Sequence, residues 1–186
     1  MIETRTRRRQ PEVTQQRLLE VAGELVGEAG VAALTLDAVA KRAGVSKGGL
    51  LHHFPSKRAL LAAMVETMAR RFARTADGIA AADADPRGRS ARAYVRTAVS
   101  EPDEELRRWE ALGAAFMSDP SLLDGWRDRL KGFRAVDQGE CADPVGALVA
   151  RLAADGLWFA DVCRLYDIDA GMRRRVAERL IALTRS

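Results

Sequence analysis

The chain has 186 residues, 47% apolar and 30% charged, and its Lys and Arg exceed its Asp and Glu by four. That length suits one domain or a small module joined to a larger one, and the balance suits a globular protein with a core, not a disordered chain. No apolar run approaches the ~20 residues of a membrane-spanning helix, and Met1-Ile2-Glu3-Thr4-Arg5 lacks a secretory apolar segment, so no membrane partner and a cytoplasmic location are expected. Cys141 and Cys163 lie far apart, and the two histidines, His52 and His53, are adjacent. Neither pattern is a disulfide framework or a zinc-ligand spacing, so no metal and no cofactor are expected. Residues 1–58 carry 10 Lys/Arg against 6 Asp/Glu, whereas residues 59–186 carry 20 of each. The whole basic excess therefore sits in the first third, which suits a polyanionic partner.

Strand signals are nearly absent and helical periodicity runs throughout, so the fold class is expected to be all-α. After a basic arm (Arg5, Arg7, Arg8, Arg9) read as frayed, a first helix is expected from about Pro11 to Glu28, with Leu18, Val21, Ala22 and Leu25 as its stripe. Thr35 can cap a second helix that leaves at Gly44, and Ser46 can cap a short third one that ends before Pro55. Ser56 caps a long fourth helix with Leu61, Met64, Val65, Met68, Phe72, Ala76 and Ile79 at three- and four-residue spacing. The run from Ala82 to Gly88 is the clearest break. Further helices are expected near 89–100, 103–118, 120–137, 144–166 and 171–184, about nine in all.

Residues 35–54 fit the packing needs of a helix-turn-helix. Ala40 is small where two helices must approach, Gly44 sits where the turn wants positive φ, and Val39, Ala43, Val45 and Leu50 supply apolar contacts. An ordinary αα-corner is the other reading of these residues alone. The continuation Gly44-Val45-Ser46-Lys47-Gly48-Gly49-Leu50-Leu51-His52-His53-Phe54-Pro55-Ser56-Lys57-Arg58-Ala59-Leu60-Leu61 closely resembles the TetR family of transcriptional regulators. The typical run of that family is G-V-S-[KR]-G-x-L-Y-x-H-F-x-[ST]-K-x-x-L. The resemblance implies an N-terminal three-helix DNA-binding domain (1–58), joined by a long helix to a helical ligand-binding and dimerisation domain (59–186). It implies a homodimer on a pseudo-palindromic double-stranded DNA operator, most simply a repressor released by a small hydrophobic effector.

A recognition helix enters the major groove by its N-terminal end, where small side chains permit close approach. Gly48 and Gly49 give that approach, and Lys47 is the best charged group on the helix for a base edge or phosphate. Backbone N–H groups at the capped starts, Thr35 and Ser46, are anion sites. The resemblance implies that Lys57 clamps a phosphate. Leu51 stands where the family has Tyr, which removes a hydroxyl; His52 can still donate to DNA, and His53 suits either contact or packing.

In the C-terminal part, Val145, Leu148, Val149, Leu152, Leu157, Trp158, Phe159 and Val162 are too many apolar residues for one buried stripe, with Met172, Val176, Leu180 and Leu183 beside them. A dimer interface built on Leu152, Trp158, Phe159, Val162, Val176 and Leu180 is expected, packing within one monomer being the alternative. Tyr94, Trp109, Phe116, Met117, Trp126 and Phe133 are candidate pocket residues or core. No nucleophile–base pair or Gly-rich phosphate loop supports an enzyme, and no catalytic residue is expected. A helical adaptor that has lost DNA binding is the alternative function, with Leu51 as its main support.

Overall fold

The computed structural model describes residues 3–100, 112–113, 115–163 and 165–185, with side chains from Pro11 onward. Most of the helix expected over 103–118, with Trp109, lies outside the described residues. All regular structure among the described residues is helical: α1 (Glu3–Ala33), α2 (Leu36–Ala43), α3 (Lys47–His53), α4 (Lys57–Ala81), α5 (Arg89–Val99), a 3₁₀ turn at Pro120–Leu123, α6 (Asp124–Glu140), α7 (Pro144–Val162) and α8 (Ala170–Leu183). Residues 115–118, ahead of the 3₁₀ turn, are helical as well.

Two differences from the sequence reading concern α1. Its backbone is helical from Glu3, so the expected frayed arm is drawn into the helix. Pro11 lies inside this helix, where it has no N–H to donate to the carbonyl four residues back. The helix is then interrupted at Gly30, whose φ of +74° is open to glycine and strained for other residues.

The chain divides into two units, one of residues 1–67 with 107–123, the other of residues 68–106 with 124–186. The first unit is assembled by caps and one apolar seam. The Thr35 hydroxyl accepts from the Ala38 N–H at 3.1 Å, Ser46 from Gly49 at 3.1 Å, and Ser56 from Ala59 at 3.1 Å, so each of α2, α3 and α4 begins on a hydroxyl as its sequence demands. Gly44 ends α2 with φ +71°, its N–H reaching the carbonyls of Ala40 and Lys41. Leu18, Val21, Ala22, Val26, Leu34, Val39, Ala40, Leu50 and Phe54 are all buried. Leu50 is the one buried residue of α3; burial of such a side chain contributes about 1.5–3 kcal/mol, and truncation to Ala costs about 2–5 kcal/mol. Arg42 ties α2 back to α1 by a fork on Glu28 at 2.5 and 2.6 Å, with Glu24 3.4 Å away.

The second unit is built around α5, which packs on α6, α7 and α8. Its core joins Val95, Val99, Ala150, Ala154, Leu157 and Leu180. The buried face of α7 is mostly small (Gly146, Ala147, Ala150, Ala154, Ala160), so α5 and α8 approach it closely. The connection ahead of α5 is organised by Arg92, whose fully buried guanidinium donates to Asp83 Oδ2 at 2.8 Å, the Asp85 carbonyl at 2.6 Å and the Arg87 carbonyl at 2.5 Å. Gly88 follows with φ +64°, and a Cβ there would collide with the Thr184 carbonyl. A turn that tight needs glycine. Relative to the expected spans, α6 opens as a 3₁₀ turn and runs on to Glu140, while α7 stops at Val162, where the Leu165 N–H turns back to the Ala160 carbonyl at 2.8 Å.

Candidate nucleic-acid interface

α3 has seven residues, and its periodicity divides them cleanly. Leu50 points inward, His53 is half-buried, and Lys47, Gly48, Gly49, Leu51 and His52 are exposed. The imidazoles of His52 and His53 meet edge to face with centroids 5.5 Å apart. Among the sequence-predicted site residues, Thr35, Ser46, Lys47, Gly48, Gly49, Leu51, His52, His53 and Lys57 all fall in the first unit, on α2, α3, their caps and the first residue of α4.

Glycine is a poor helix former, about 1 kcal/mol worse than Ala per residue, and α3 carries two in succession. Internal packing does not demand Gly48. A Cβ built on Gly48 meets nothing within 4 Å, and one on Gly49 meets only the Ser46 hydroxyl at 3.3 Å. The bareness of this face leaves room for something outside the protein.

Two predicted cations are already engaged. Lys47 Nζ lies 3.0 Å from the Asp37 carboxylate, across the turn between α2 and α3. Lys57 Nζ donates to the Val31 carbonyl at 2.9 Å, tying the start of α4 to the last turn of α1. Asp37, in the first turn of α2, is thus the neighbour that Lys47 faces. Arg58, next to Lys57, donates to Asp119 at 2.9 Å and to Ser121 at 2.5 Å, and Ser121 also bonds Asp119. The Ser121 hydroxyl and then Arg58 hold the Asp119 carboxyl below the usual range.

The candidate pocket residues separate. Tyr94, Trp126 and Phe133 come together with Phe72 in the second unit: Phe72 lies 4.9 Å from Tyr94 and 5.0 Å from Trp126, and Tyr94 lies 5.5 Å from Phe133. Phe116 and Met117 belong to the first unit, Phe116 half-buried and Met117 70% exposed. Three polar residues of the aromatic cluster were missed. Tyr94 donates to Asp155 Oδ1 at 2.6 Å, while Arg151 stacks over the Tyr94 and Phe133 rings at 4.6 and 5.0 Å and is locked to Asp137 at 2.7 and 2.8 Å. A local signal exists for Arg151 and Asp155 alone, the only charges between Pro144 and Ala160 and one turn apart, whereas nothing local links them to Asp137 or Tyr94. Burial pushes the Asp155 carboxyl above the usual range, against the opposing pull of Tyr94 and Arg151.

The candidate interface residues also divide. Leu152 (61% exposed) and Phe159 (43%) stand outward on α7 with Val145 and Val149; Trp158, Val162 and Val176 are half-buried, and Leu180 is enclosed in the core of the second unit. Leu180, expected at the interface, instead packs within the second unit, on the α8 stripe that faces α5 and α7.

Comparison with known proteins agrees with this layout. Residues 18–64 match the family described as "Bacterial regulatory proteins, tetR family", and residues 88–185 match "Tetracyclin repressor-like, C-terminal domain". The chain is 31% identical over 188 residues to the HTH-type transcriptional regulator BetI of Burkholderia lata, spanning 92% of this chain and 94% of that one. Among solved structures, a transcriptional regulator from Rhodococcus sp. Rha1 superposes with a TM-score of 0.73 at 22% identity, covering 91% of this chain and 95% of that one. The multidrug binding protein EbrR complexed with malachite green gives a TM-score of 0.70 at 24% identity, covering 92% and 98%. No helix among the described residues is long and apolar enough to cross a membrane. The chain belongs to the tetR family of bacterial regulatory proteins, and it is a DNA-binding transcriptional regulator.

Proposed function

We propose that this regulator is a homodimeric repressor that reads a pseudo-palindromic operator through α3 and leaves it when a small, mainly apolar effector binds the second part of the chain. Regulators of the family bind DNA operators and small-molecule effectors, generally as dimers. The observation that carries the reading is the bare face of α3: two helix-weakening glycines, of which Gly48 has open space where a side chain would stand, flanked by exposed Lys47, Leu51 and His52. Close backbone approach to a major groove explains that arrangement. Lys47, His52 and Lys57 would supply donors to base edges and phosphates, with the capped starts at Thr35 and Ser46 as phosphate sites. Gly48, Gly49 and Leu51 would shape the contact, and half-buried His53 serves packing as much as contact. Residues 1–58 would form the DNA-binding domain and residues 59–186 the regulatory one.

Dimerisation is ascribed to the outward face of α7. Val145, Val149, Leu152 and Phe159 recur at three-, four- and seven-residue spacing on the side opposite its alanines, a second apolar face that needs a cover. Trp158 and Val162 would border it, whereas Val176 packs with Leu180 against the core. A two-fold axis would set the recognition helices about 34–36 Å apart, or a near multiple, on successive major grooves. The effector is assigned to the aromatic cluster of Phe72, Tyr94, Trp126 and Phe133; the multidrug binding neighbour with malachite green supports a small-molecule ligand for such a fold.

Selection from a pool of random duplexes at fixed salt tests this reading. Enrichment of an inverted repeat is the expected outcome. Recovery of no sequence above background would favour the adaptor alternative.

A further inference from the structure

The aromatic cluster of the second unit already contains a cation of its own. Arg151 is 3% exposed, and its guanidinium lies over two of the rings. Its Nε and Nη2 are spent on Asp137, with Nη2 also reaching Ser90 at 3.0 Å. Its third nitrogen, Nη1, is buried and has no hydrogen-bond acceptor among the described residues. A guanidinium has five donors in a rigid fork, and a buried donor left unmade costs more than an ordinary hydrogen bond contributes. A face of Tyr94 and a face of Phe133 are already occupied by this cation, and a second positive charge in the cluster would meet Arg151 at close range.

We propose that this cluster takes a flat aromatic carboxylate, its oxygen accepting from Arg151 Nη1 and its ring packing among Phe72, Trp126 and Phe133. The inference rests on the effector reading above and narrows it to one class of ligand. Tyr94 is completely buried, whereas Phe72, Trp126 and Phe133 are partly exposed, so these three rings border the surface by which a ligand arrives. Asp137 balances the charge of Arg151. Asp155, the other carboxylate near Tyr94, is biased by burial toward its neutral form, which lowers the opposition to an incoming anion. Charge-assisted hydrogen bonds to a guanidinium are about twice as strong as neutral ones, so a carboxylate is favoured over an uncharged carbonyl of the same shape.

The test uses the full chain and three matched probes: 2-naphthoate, 2-naphthamide and (2-naphthylmethyl)trimethylammonium. Binding is read by tryptophan quenching, with Trp126→Phe identifying the responding ring, and by the rise in Tm without DNA. The expected order is carboxylate, amide, then cation, with the carboxylate at least about tenfold tighter than the cation, the scale of one charge-assisted bond. In the paired variant Arg151→Met with Asp137→Leu, which leaves no lone buried charge, that preference should disappear. If the pair fails to melt cooperatively, the ranking in the parent protein and in Arg151→Lys decides. Preference for the cation, binding of none of the three, or an unchanged ranking in a folded paired variant overturns the proposal. Duplex selection is scored separately, so a protein that binds 2-naphthoate but no specific DNA refutes the repressor reading alone, and the converse refutes only the ligand.

Discussion

Lys47 and Asp37 face each other from the start of α3 and the first turn of α2, the ammonium 3.0 Å from the carboxylate, with both side chains more than half exposed. A pair so open to water is worth only about 0–1 kcal/mol. Its consequence concerns partners rather than stability, because a phosphate that recruits Lys47 must compete with Asp37 and bear its charge. Asp37→Asn should therefore tighten binding to every duplex several-fold, whereas Lys47→Ala should weaken operator binding. Fluorescence anisotropy at one fixed salt concentration checks both, and an unchanged Kd for Asp37→Asn removes the competition.

Lys57 carries two duties in this account. Its bond to the Val31 carbonyl contributes about 0.5–1.5 kcal/mol, and its charge supplies one phosphate contact. Lys57→Ala should lower affinity for specific and random duplexes alike and flatten the plot of log K against log salt by about one unit. A variant that loses stability while keeping the parent's salt slope has lost the tether alone.

The second unit should weaken in acid at an identifiable place. The hydrogen bond from Arg92, reinforced by the Asp85 N–H, holds the Asp83 carboxyl down at about 2. Its unfolded value is about 3.9, so the folded state favours the ionised form. The stabilisation is present above pH ~4 and is lost as pH falls toward 2. Asp83→Ala leaves the buried Arg92 guanidinium short of a partner and should cost about 1–3 kcal/mol at neutral pH. Urea melts from pH 6 down to 2 should show that difference shrinking, and a constant difference would assign the effect to another group.

The first unit was legible because its signals are local. A hydroxyl at the starts of α2, α3 and α4, a glycine at φ +71° and inward apolar residues on both short helices (Val39 and Ala40 on α2, Leu50 on α3) leave little freedom, and the structure puts Thr35, Ser46, Ser56, Gly44 and Leu50 where those rules require. The second unit was legible only as helices. Leu180 and Leu152 look alike in a periodicity argument, yet one is in the core and the other faces out, because α7 packs Ala147, Ala150, Ala154 and Leu157 inward and leaves Val145, Val149, Leu152 and Phe159 outward. Aromatic count suggested a pocket but could not distinguish Trp126, which joins Tyr94 and Phe72, from Met117, which stands exposed. The network of Arg151, Asp137, Asp155 and Tyr94 depends on pairings 14 and 61 residues apart, beyond any local pattern.

That contrast gives a paired experiment on assembly. Leu152→Asp places a charge on the outward face of α7 and should yield a folded monomer that binds DNA poorly. Leu180→Asp buries an unpaired carboxylate among Val95, Val99 and Leu157 and should unfold the second unit. Sedimentation together with circular dichroism separates the outcomes, and a Leu152→Asp protein that remains dimeric rules out this face.

The affinity of Gly48→Ala for the selected duplex bears most directly on the claim that the bare face of α3 is the reading surface. Alanine is the better helix former by about 1 kcal/mol and meets nothing within 4 Å at this position, so the variant should melt no lower than its parent. The added methyl would stand where the groove floor must come close. The account predicts a Kd raised by about tenfold or more, the range of a lost specific contact, in a protein at least as stable as before. An unchanged Kd for that duplex would contradict it.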